Sequence, residues 1–339
     1  MTAPGQPGPA PGPVPARAAR RRGADVPDLV ARLEQGDPRA VARLISLVED
    51  ASPALREVMA LLAPRTGHAR VVGLTGSPGV GKSTSTSALV AAYRRRGLRV
   101  GVLAVDPSSP FSGGALLGDR VRMQDHATDD GVFIRSMASR GHLGGLSWAT
   151  PQALRVLSAA GCDVVLVETV GVGQAEVEVA SLADTTLVLL APGMGDGIQA
   201  AKAGILEVAD LFVVNKADRD GADTVVRDIR YMLSLGDRRT DEGWRVPILK
   251  TVAAKGEGAD EVVDAVEKHG AWLAANGQLE ARRVRRAADE VEALTLDALR
   301  SRIGDLRGNE SLALLAARVV AGELDPYAAS DELVAGLTA

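Results

Sequence analysis

The chain has 339 residues, of which 46% are hydrophobic and 3% aromatic, so valine, leucine and alanine must fill its core. Its net charge of −4 at pH 7 gives no reason to expect binding to nucleic acid or to an acidic membrane surface. One cysteine, Cys162, cannot form an internal disulfide, and no apolar run has the length of a membrane span or the position of a signal peptide. We therefore expect a cytoplasmic protein in which Cys162 is a small core residue.

The first 24 residues contain six prolines and end in an arginine cluster, a composition typical of disordered tails. An alternative is a docking segment for an acidic partner. Residues 25–66 differ, because their apolar side chains recur at helical spacing and two proline-containing breaks interrupt the pattern. This region predicts two or three short helices.

Residues 70–75 form an apolar run that predicts a buried strand, and a complete phosphate-binding P-loop follows it. In such a loop the backbone N–H groups converge on the phosphates, a lysine contacts the β and γ positions, and the serine hydroxyl can ligate Mg²⁺. We predict that Lys82 is also catalytic, that Ser83 is a metal ligand and that residues 84–96 are helical. The residues expected to hold the phosphates are Gly76, Ser77, Pro78, Gly79, Val80, Gly81, Lys82, Ser83 and Thr84.

A second predicted strand, residues 99–105, leads directly into Asp106. A carboxylate at the end of a core strand beside the phosphate site can hold Mg²⁺ through water or activate the attacking water. The alternative is a plain Asp-Pro turn. We predict a metal and catalytic role for Asp106. Residues 112–145 are rich in glycine, arginine and serine, which indicates a mobile, nucleotide-sensing region interrupted by a strand over residues 132–135.

A third predicted strand, residues 163–167, is followed by Glu168 and, three residues later, by a glycine. Most P-loop GTPases have Asp-x-x-Gly here, with the carboxylate behind Mg²⁺. Glu168 is longer by one methylene and can still reach a metal-bound water. Whether Glu168 is a metal partner or a water-positioning base stays open at this stage. Gln174 and Glu176 follow on the same loop, and either is a candidate for orienting the attacking water.

Further along, a strand over residues 186–190 leads to a glycine-dense loop and a predicted helix over residues 198–208. The next strand, residues 211–214, ends in Asn215, Lys216 and Asp218, the Asn-Lys-x-Asp pattern that reads guanine. Adenine lacks the donors that such an aspartate binds, so it would leave a buried carboxylate unpaired. After a last strand over residues 246–250, we predict backbone contacts to guanine from Ala253, Ala254 and Lys255.

Alternating strands and helices predict an α/β fold: a P-loop GTPase core with a mostly parallel sheet covered by helices on both faces. The expected divisions are a tail (1–24), N-terminal helices (25–66), the GTPase domain (67–276) and a C-terminal helical arm (277–339). Within the arm, residues 279–303 carry apolar side chains at alternating three and four spacing. The arm either forms a dimer or folds back on its own domain.

These motifs resemble the MeaB/ArgK family of GTPases, and the resemblance extends from about Leu29 to the C-terminus. Its most specific segments are residues 76–84, 106–109, 134–145, 168–174, 195–199 and 202–205. The resemblance implies a GTPase that takes GTP as substrate and Mg²⁺ as cofactor. It implies, as the partner, an adenosylcobalamin-dependent acyl-CoA mutase, most often methylmalonyl-CoA mutase, whose cofactor loading the GTPase gates and which it protects and reactivates.

The same resemblance implies a homodimer formed through the arm and a third switch over residues 195–202. Two other functions stay open. A metallochaperone-type GTPase for another metalloenzyme shares the core, but such proteins usually have clustered cysteine or histidine, and the four histidines here are scattered. An ArgK-type kinase linked to amino-acid transport is the other alternative.

Overall fold

A computed structural model describes residues 25–107, 126, 128–139, 149–169, 175–193, 208–235, 243–303 and 310–338. Several predictions lie outside these residues: the N-terminal tail, Gln174, the third switch and most of the nucleotide-sensing region. Among the described helices, none is both long and apolar enough to cross a membrane.

The centre of the molecule is a seven-stranded sheet in the order β3-β2-β4-β1-β5-β6-β7, and every neighbouring pair is parallel. Parallel strands bring their carboxyl ends to one edge, which is where ligands bind in such sheets. The strands are β1 Arg70–Thr75, β2 Val100–Pro107, β3 Val132–Ser139, β4 Val164–Thr169, β5 Thr185–Leu190, β6 Leu211–Val214 and β7 Ile248–Lys250.

Eleven α-helices lie in the described residues, together with single 3₁₀ turns at Ala63–Arg65 and Ala253–Lys255. Three of them precede the first strand and four follow the last one. They are α1 Val26–Glu34, α2 Pro38–Glu49, α3 Leu55–Leu62, α4 Lys82–Arg95, α5 Thr150–Ala159, α6 Ala175–Leu182, α7 Ala222–Leu235, α8 Ala259–Ala275, α9 Gln278–Ile303, α10 Glu310–Val320 and α11 Pro326–Thr338.

Helices cover both faces of the sheet, as predicted. On β1, Val71 packs into a core with α1, α2, α3 and α5, whereas the next residue, Val72, packs into a core with α4 and α8. Alternate residues of a strand point to opposite faces, so a strand buried on both sides is a continuous apolar run. Helix α7 packs on β5 and β6 through a third cluster that includes Phe212.

Element boundaries differ from the predictions by one or two residues in β2, β5 and β7, and three other differences have a local cause. Helix α4 begins two residues earlier than predicted, because Gly81 adopts a left-handed φ of 96° and serves as its N-cap. Strand β4 continues through Glu168 and Thr169, which pair with β2. Strand β3 extends to Ser139, four residues beyond the predicted end, because it pairs with β2 along its whole length. The helices α5, α6, α7 and α8 were not predicted individually.

The first turns of α9 are fixed to the edge of the sheet opposite the P-loop. Arg283 and Arg286 donate to Asp184, just before β5, at 3.2 and 2.9 Å. Arg282 donates to both carboxylate oxygens of Asp210, just before β6, at 2.9 Å. We call these five side chains the arginine anchor. It joins the root of the arm to the body of the protein.

Two other buried groups near the sheet have shifted pKa values. Burial raises the pKa of the Cys162 thiol to about 11, and the side chain packs in the core as predicted. Burial lowers the pKa of His269, on α8, to about 4, although Asp210 opposes the shift. Its Nδ1 lies 2.9 Å from the Thr185 hydroxyl, and its ring lies against Trp244 and Trp272.

Candidate functional site

The P-loop connects β1 to α4 at the carboxyl edge of the sheet. A side chain at Gly76, whose φ is 141°, would collide with the Leu189 carbonyl oxygen, so only glycine fits there. Lys82 is buried, and its ammonium donates to the carbonyl oxygens of Gly76 at 2.6 Å and Ser77 at 3.1 Å. The lysine charge therefore lies at the mouth of the loop, where the backbone can surround phosphate groups.

Glu168, at the end of β4, is buried and faces the start of α4. Its Oε1 accepts a hydrogen bond from the Ser83 hydroxyl at 2.6 Å, and its Oε2 accepts one from the Thr86 hydroxyl at 2.8 Å. A hydroxyl that donates its proton to a carboxylate keeps its lone pairs for a cation. A serine oxygen beside a buried carboxylate is a donor set suited to Mg²⁺, which prefers oxygen ligands.

Asp106 is the penultimate residue of β2, and its backbone pairs with Ala138 of β3. On the other side of β2, Ala104 pairs with Glu168 of β4. The chain positions of Asp106 and Glu168 are thus at the ends of adjacent parallel strands, on the P-loop edge. Across the described residues, no group of three or more His, Cys, Asp or Glu side chains could hold a metal ion.

Asn215 connects the guanine-reading motif to its two neighbouring loops. Its side-chain amide donates to the Val80 carbonyl of the P-loop at 2.8 Å, and its Oδ1 accepts from the Ala253 N–H at 3.1 Å. Gly81 must lack a side chain, because a Cβ there would lie 2.5 Å from the Asn215 nitrogen. The structure therefore brings together the P-loop, Asn215 and residues 253–255.

The next two motif residues line the same edge. Lys216 adopts a left-handed φ of 56°, which is uncommon outside glycine, and its ammonium donates to the Gly79 carbonyl at 2.6 Å. Its aliphatic stem therefore spans from the guanine motif to the P-loop. Asp218 is half-exposed and forms an ion pair with Lys255 at 3.4 Å. The carboxylate therefore lies at the surface and not, as expected, in a buried position.

A cavity of about 480 Å³ opens between α4 and the 3₁₀ turn over residues 253–255. Residues from both motifs line it, including Thr84 and Ser87 from α4 and Ala253 and Ala254 from the turn. His126 completes one side, with Nε2 at 3.0 Å from the Ser87 hydroxyl. Helix α4 and the 3₁₀ turn over residues 253–255 thus line one cavity.

The sequence model of a family described as methylmalonyl Co-A mutase-associated GTPase MeaB matches residues 41–306. The chain belongs to the MeaB family of GTPases. Its parallel sheet, P-loop and Asn-Lys-x-Asp motif are those of a P-loop GTPase, and the activity of the MeaB family is GTP hydrolysis. The predicted family, fold class and enzyme class are therefore confirmed.

Individual relatives agree with the MeaB assignment. A putative GTPase of Pyrococcus abyssi is 45% identical over 310 residues, covering 91% of this chain and 96% of that protein. The mitochondrial methylmalonic aciduria type A homolog of Mus musculus is 38% identical over 267 residues, covering 74% of this chain and 64% of that protein. A crystal structure described as a LAO/AO transport system kinase is 28% identical, with a TM-score of 0.68, and covers 94% of this chain and 99% of its own.

Thr86 is a site residue that sequence reasoning missed. It lies three residues after Ser83, on the same side of α4, and is fully buried. One sequence signal could have indicated it: residues 83–87 are all serine or threonine, which are poor helix formers in a helix interior. So many hydroxyl groups at the start of a helix indicate that some of them have a polar partner elsewhere in the fold.

Proposed function

We propose that this MeaB-family GTPase is a GTP-hydrolysing chaperone for an adenosylcobalamin-dependent acyl-CoA mutase, with methylmalonyl-CoA mutase as the first candidate. The single observation that carries the proposal is the match of residues 41–306 to a family described as mutase-associated. In this role the GTPase gates cofactor loading and protects or reactivates the mutase. Its cytoplasmic location stays a prediction.

The proposed metal site consists of Ser83 as the protein ligand of Mg²⁺, with Glu168 behind it. Support comes from the 2.6 Å hydrogen bond between them and from the burial of both side chains. Bound Mg²⁺ supplies charge neutralisation at the β and γ phosphates. Because both Glu168 oxygens accept hydrogen bonds from α4, we favour the metal-partner role over the water-positioning role. Asp106 and Gln174 stay candidates for holding the attacking water.

The proposed guanine site uses Asp218 to accept hydrogen bonds from the base. Lys216 covers the base with its aliphatic stem, and Asn215 braces the loops. The ion pair between Asp218 and Lys255 supports this proposal, because it holds the carboxylate near residues 253–255. The backbone of Ala253, Ala254 and Lys255 would complete the base contacts.

We also propose that the arm forms a homodimer. Beyond the arginine anchor, α9 has several exposed apolar side chains, among them Val291 at 64% and Leu294 at 46% exposure. Exposed apolar stripes of this kind are common at interfaces between helices. Light scattering of the full chain should give twice the monomer mass, and replacing Val291 and Leu294 with aspartate should give the monomer mass.

The decisive experiment is GTP turnover by the purified chain, alone and with an adenosylcobalamin-dependent methylmalonyl-CoA mutase, with ATP as the control nucleotide. We expect slow guanine-selective turnover alone and faster turnover with the mutase. Lys82→Ala should lose turnover in both conditions, which excludes a contaminating nucleotidase. Guanine-selective turnover that the mutase does not change would leave the GTPase assignment intact and contradict the proposed partner.

A further inference from the structure

The carboxylate of Glu168 is held at both oxygens from one helix. Ser83 donates to Oε1 at 2.6 Å, and Thr86 donates to Oε2 at 2.8 Å. The two hydroxyls lie three residues apart, so they are one turn apart on the same side of α4. Thr86 is 0% exposed and Glu168 is 5% exposed, so no bulk water can replace this contact. The Thr86 contact joins residues 82 positions apart in the chain.

We propose that Thr86 is a positioning residue for the metal site: its hydroxyl fixes the plane of the Glu168 carboxylate, and the fixed carboxylate orients the Ser83 hydroxyl towards Mg²⁺. This inference rests on the Mg²⁺ site of the proposed function. Thr86 itself does not touch the metal or the nucleotide. It acts by holding Glu168.

The need for a second donor follows from the length of the glutamate side chain. Glutamate has one more rotatable bond than aspartate, and its terminal torsion is soft, so a single hydrogen bond leaves the carboxylate plane free to turn. A second hydrogen bond, to the other oxygen, defines that plane. Fixed outer partners of this kind orient metal ligands and influence metal affinity.

The Thr86 hydroxyl has a second possible hydrogen-bond acceptor besides Glu168. The Lys82 carbonyl, one turn earlier in α4, lies 3.1 Å from the same hydroxyl. A hydroxyl has one proton, and an ionised carboxylate is the stronger acceptor. The shorter distance to Glu168 agrees with that preference. A hydroxyl serving only α4 would point at the carbonyl instead.

The test measures how MgCl₂ slows the release of a fluorescent GDP analogue from the full-length chain. Thr86→Val keeps the shape of the side chain and removes the hydroxyl. In this variant the MgCl₂ concentration giving half of the maximal effect should rise roughly 10-fold, because losing an outer partner of a metal ligand typically lowers metal affinity by about that factor or more. Thr86→Ser keeps the hydroxyl and should stay within about twofold of the parent. If Thr86→Val does not fold, Thr86→Ala read against Thr86→Ser gives the same comparison.

Ser85→Ala is the matched control. Ser85 is a buried hydroxyl residue of the same helix, lines the apolar space near Leu74 and Leu89, and makes no hydrogen bond to Glu168. It should leave the MgCl₂ dependence unchanged. With EDTA in place of MgCl₂, all variants should release the analogue at the parent's rate, because Thr86 acts only on the metal site. Equal MgCl₂ dependence for Thr86→Val and the parent would overturn the inference.

Two further variants separate this inference from the function on which it rests. In a Glu168→Ala background, Thr86→Val should add no further change, and the same 10-fold change there would show that Thr86 acts by another route. Ser83→Ala tests the metal site itself. If Ser83→Ala alters the MgCl₂ dependence and Thr86→Val does not, only the inference fails. If Ser83→Ala has no effect, the proposed Mg²⁺ site fails.

Discussion

The two edges of the sheet hold buried carboxylates in different ways. At the P-loop edge, hydroxyl groups of α4 hold Glu168. At the opposite edge, arginines of α9 hold Asp184 and Asp210. A hydroxyl fixes a carboxylate without cancelling its charge, whereas a guanidinium cancels it. The comparison teaches that hydroxyl contacts orient the carboxylate at the P-loop edge, as the proposed Mg²⁺ site requires, while guanidinium contacts at the opposite edge fix the arm.

The largest effect should come from removing a charge at the P-loop edge. We expect Lys82→Ala to weaken binding of a fluorescent GDP analogue by roughly 100-fold or more, because each hydrogen bond from a charged donor is worth about 1.5–3 kcal/mol. Fluorescence titration measures the affinity. Lys268→Ala, an exposed lysine on α8, is the matched control and should bind like the parent. Similar affinities for Lys82→Ala and the parent would contradict the assignment of this edge.

At the opposite edge, the corresponding change should affect stability instead of binding. Asp184 is 1% exposed and also accepts from the Val71 N–H at 3.0 Å, so Asp184→Asn leaves Arg283 and Arg286 without their counter-charge. We expect the free energy of unfolding, measured in urea, to fall by about 3 kcal/mol. Nucleotide affinity should not change.

Asp289, an exposed residue of α9, provides the control for the Asp184→Asn experiment. Asp289→Asn should change the free energy of unfolding by less than about 0.5 kcal/mol, as surface substitutions usually do. If Asp184→Asn and Asp289→Asn were equally stable, the arginine anchor would contribute no more to the free energy of unfolding than a surface ion pair does. A fall in nucleotide affinity for Asp184→Asn would show that the two edges are not independent.

The smallest expected effect is a loss of folding stability at acidic pH. Burial lowers the pKa of His269 from 6.5 to about 4, so the unfolded chain binds the proton more readily between these values. His269 therefore contributes stability that is full above pH 6.5 and is lost as the pH falls towards 4. At pH 5 we expect a loss on the order of 2 kcal/mol relative to neutral pH. His269→Gln should remove this part of the dependence, as measured by urea unfolding at pH 7.5 and pH 5. If His269→Gln lost as much stability between pH 7.5 and pH 5 as the parent does, His269 would not be the source of this pH dependence.

The strands that were predicted with correct bounds are those whose signals are local. Strand β1 is an apolar run that ends at a P-loop glycine, and β6 is one that ends at Asn215. The second half of β3, residues 136–139, could not be predicted in this way, because its extent is set by pairing with β2 and not by a local apolar run. Arg135, just before it, is likewise satisfied by Ser46 and Glu49 of α2, which are distant in the sequence. Tertiary contacts decided this strand, and a local pattern does not contain them.

The candidate site likewise combines features that local sequence signals predict and features that depend on tertiary contacts. The P-loop and the guanine motif are contiguous, and each has a spacing fixed by one ligand group, so both could be read from the sequence. The contact between Thr86 and Glu168 depends on how α4 lies against β4. The arginine anchor depends on where α9 begins relative to β5 and β6. These positions follow from packing of the whole domain, which the spacing of motifs does not describe.

Cys162 has a practical consequence for experiments on the arm. It is the one cysteine of the sequence, it is 4% exposed, and burial raises its pKa to about 11. Maleimides react with accessible thiolates, so this thiol should stay unlabelled at neutral pH. A cysteine introduced at Val320, which is 89% exposed on α10, would therefore accept a spin label or a fluorophore selectively. The native chain thus already serves as a background for distance measurements that test the proposed dimer.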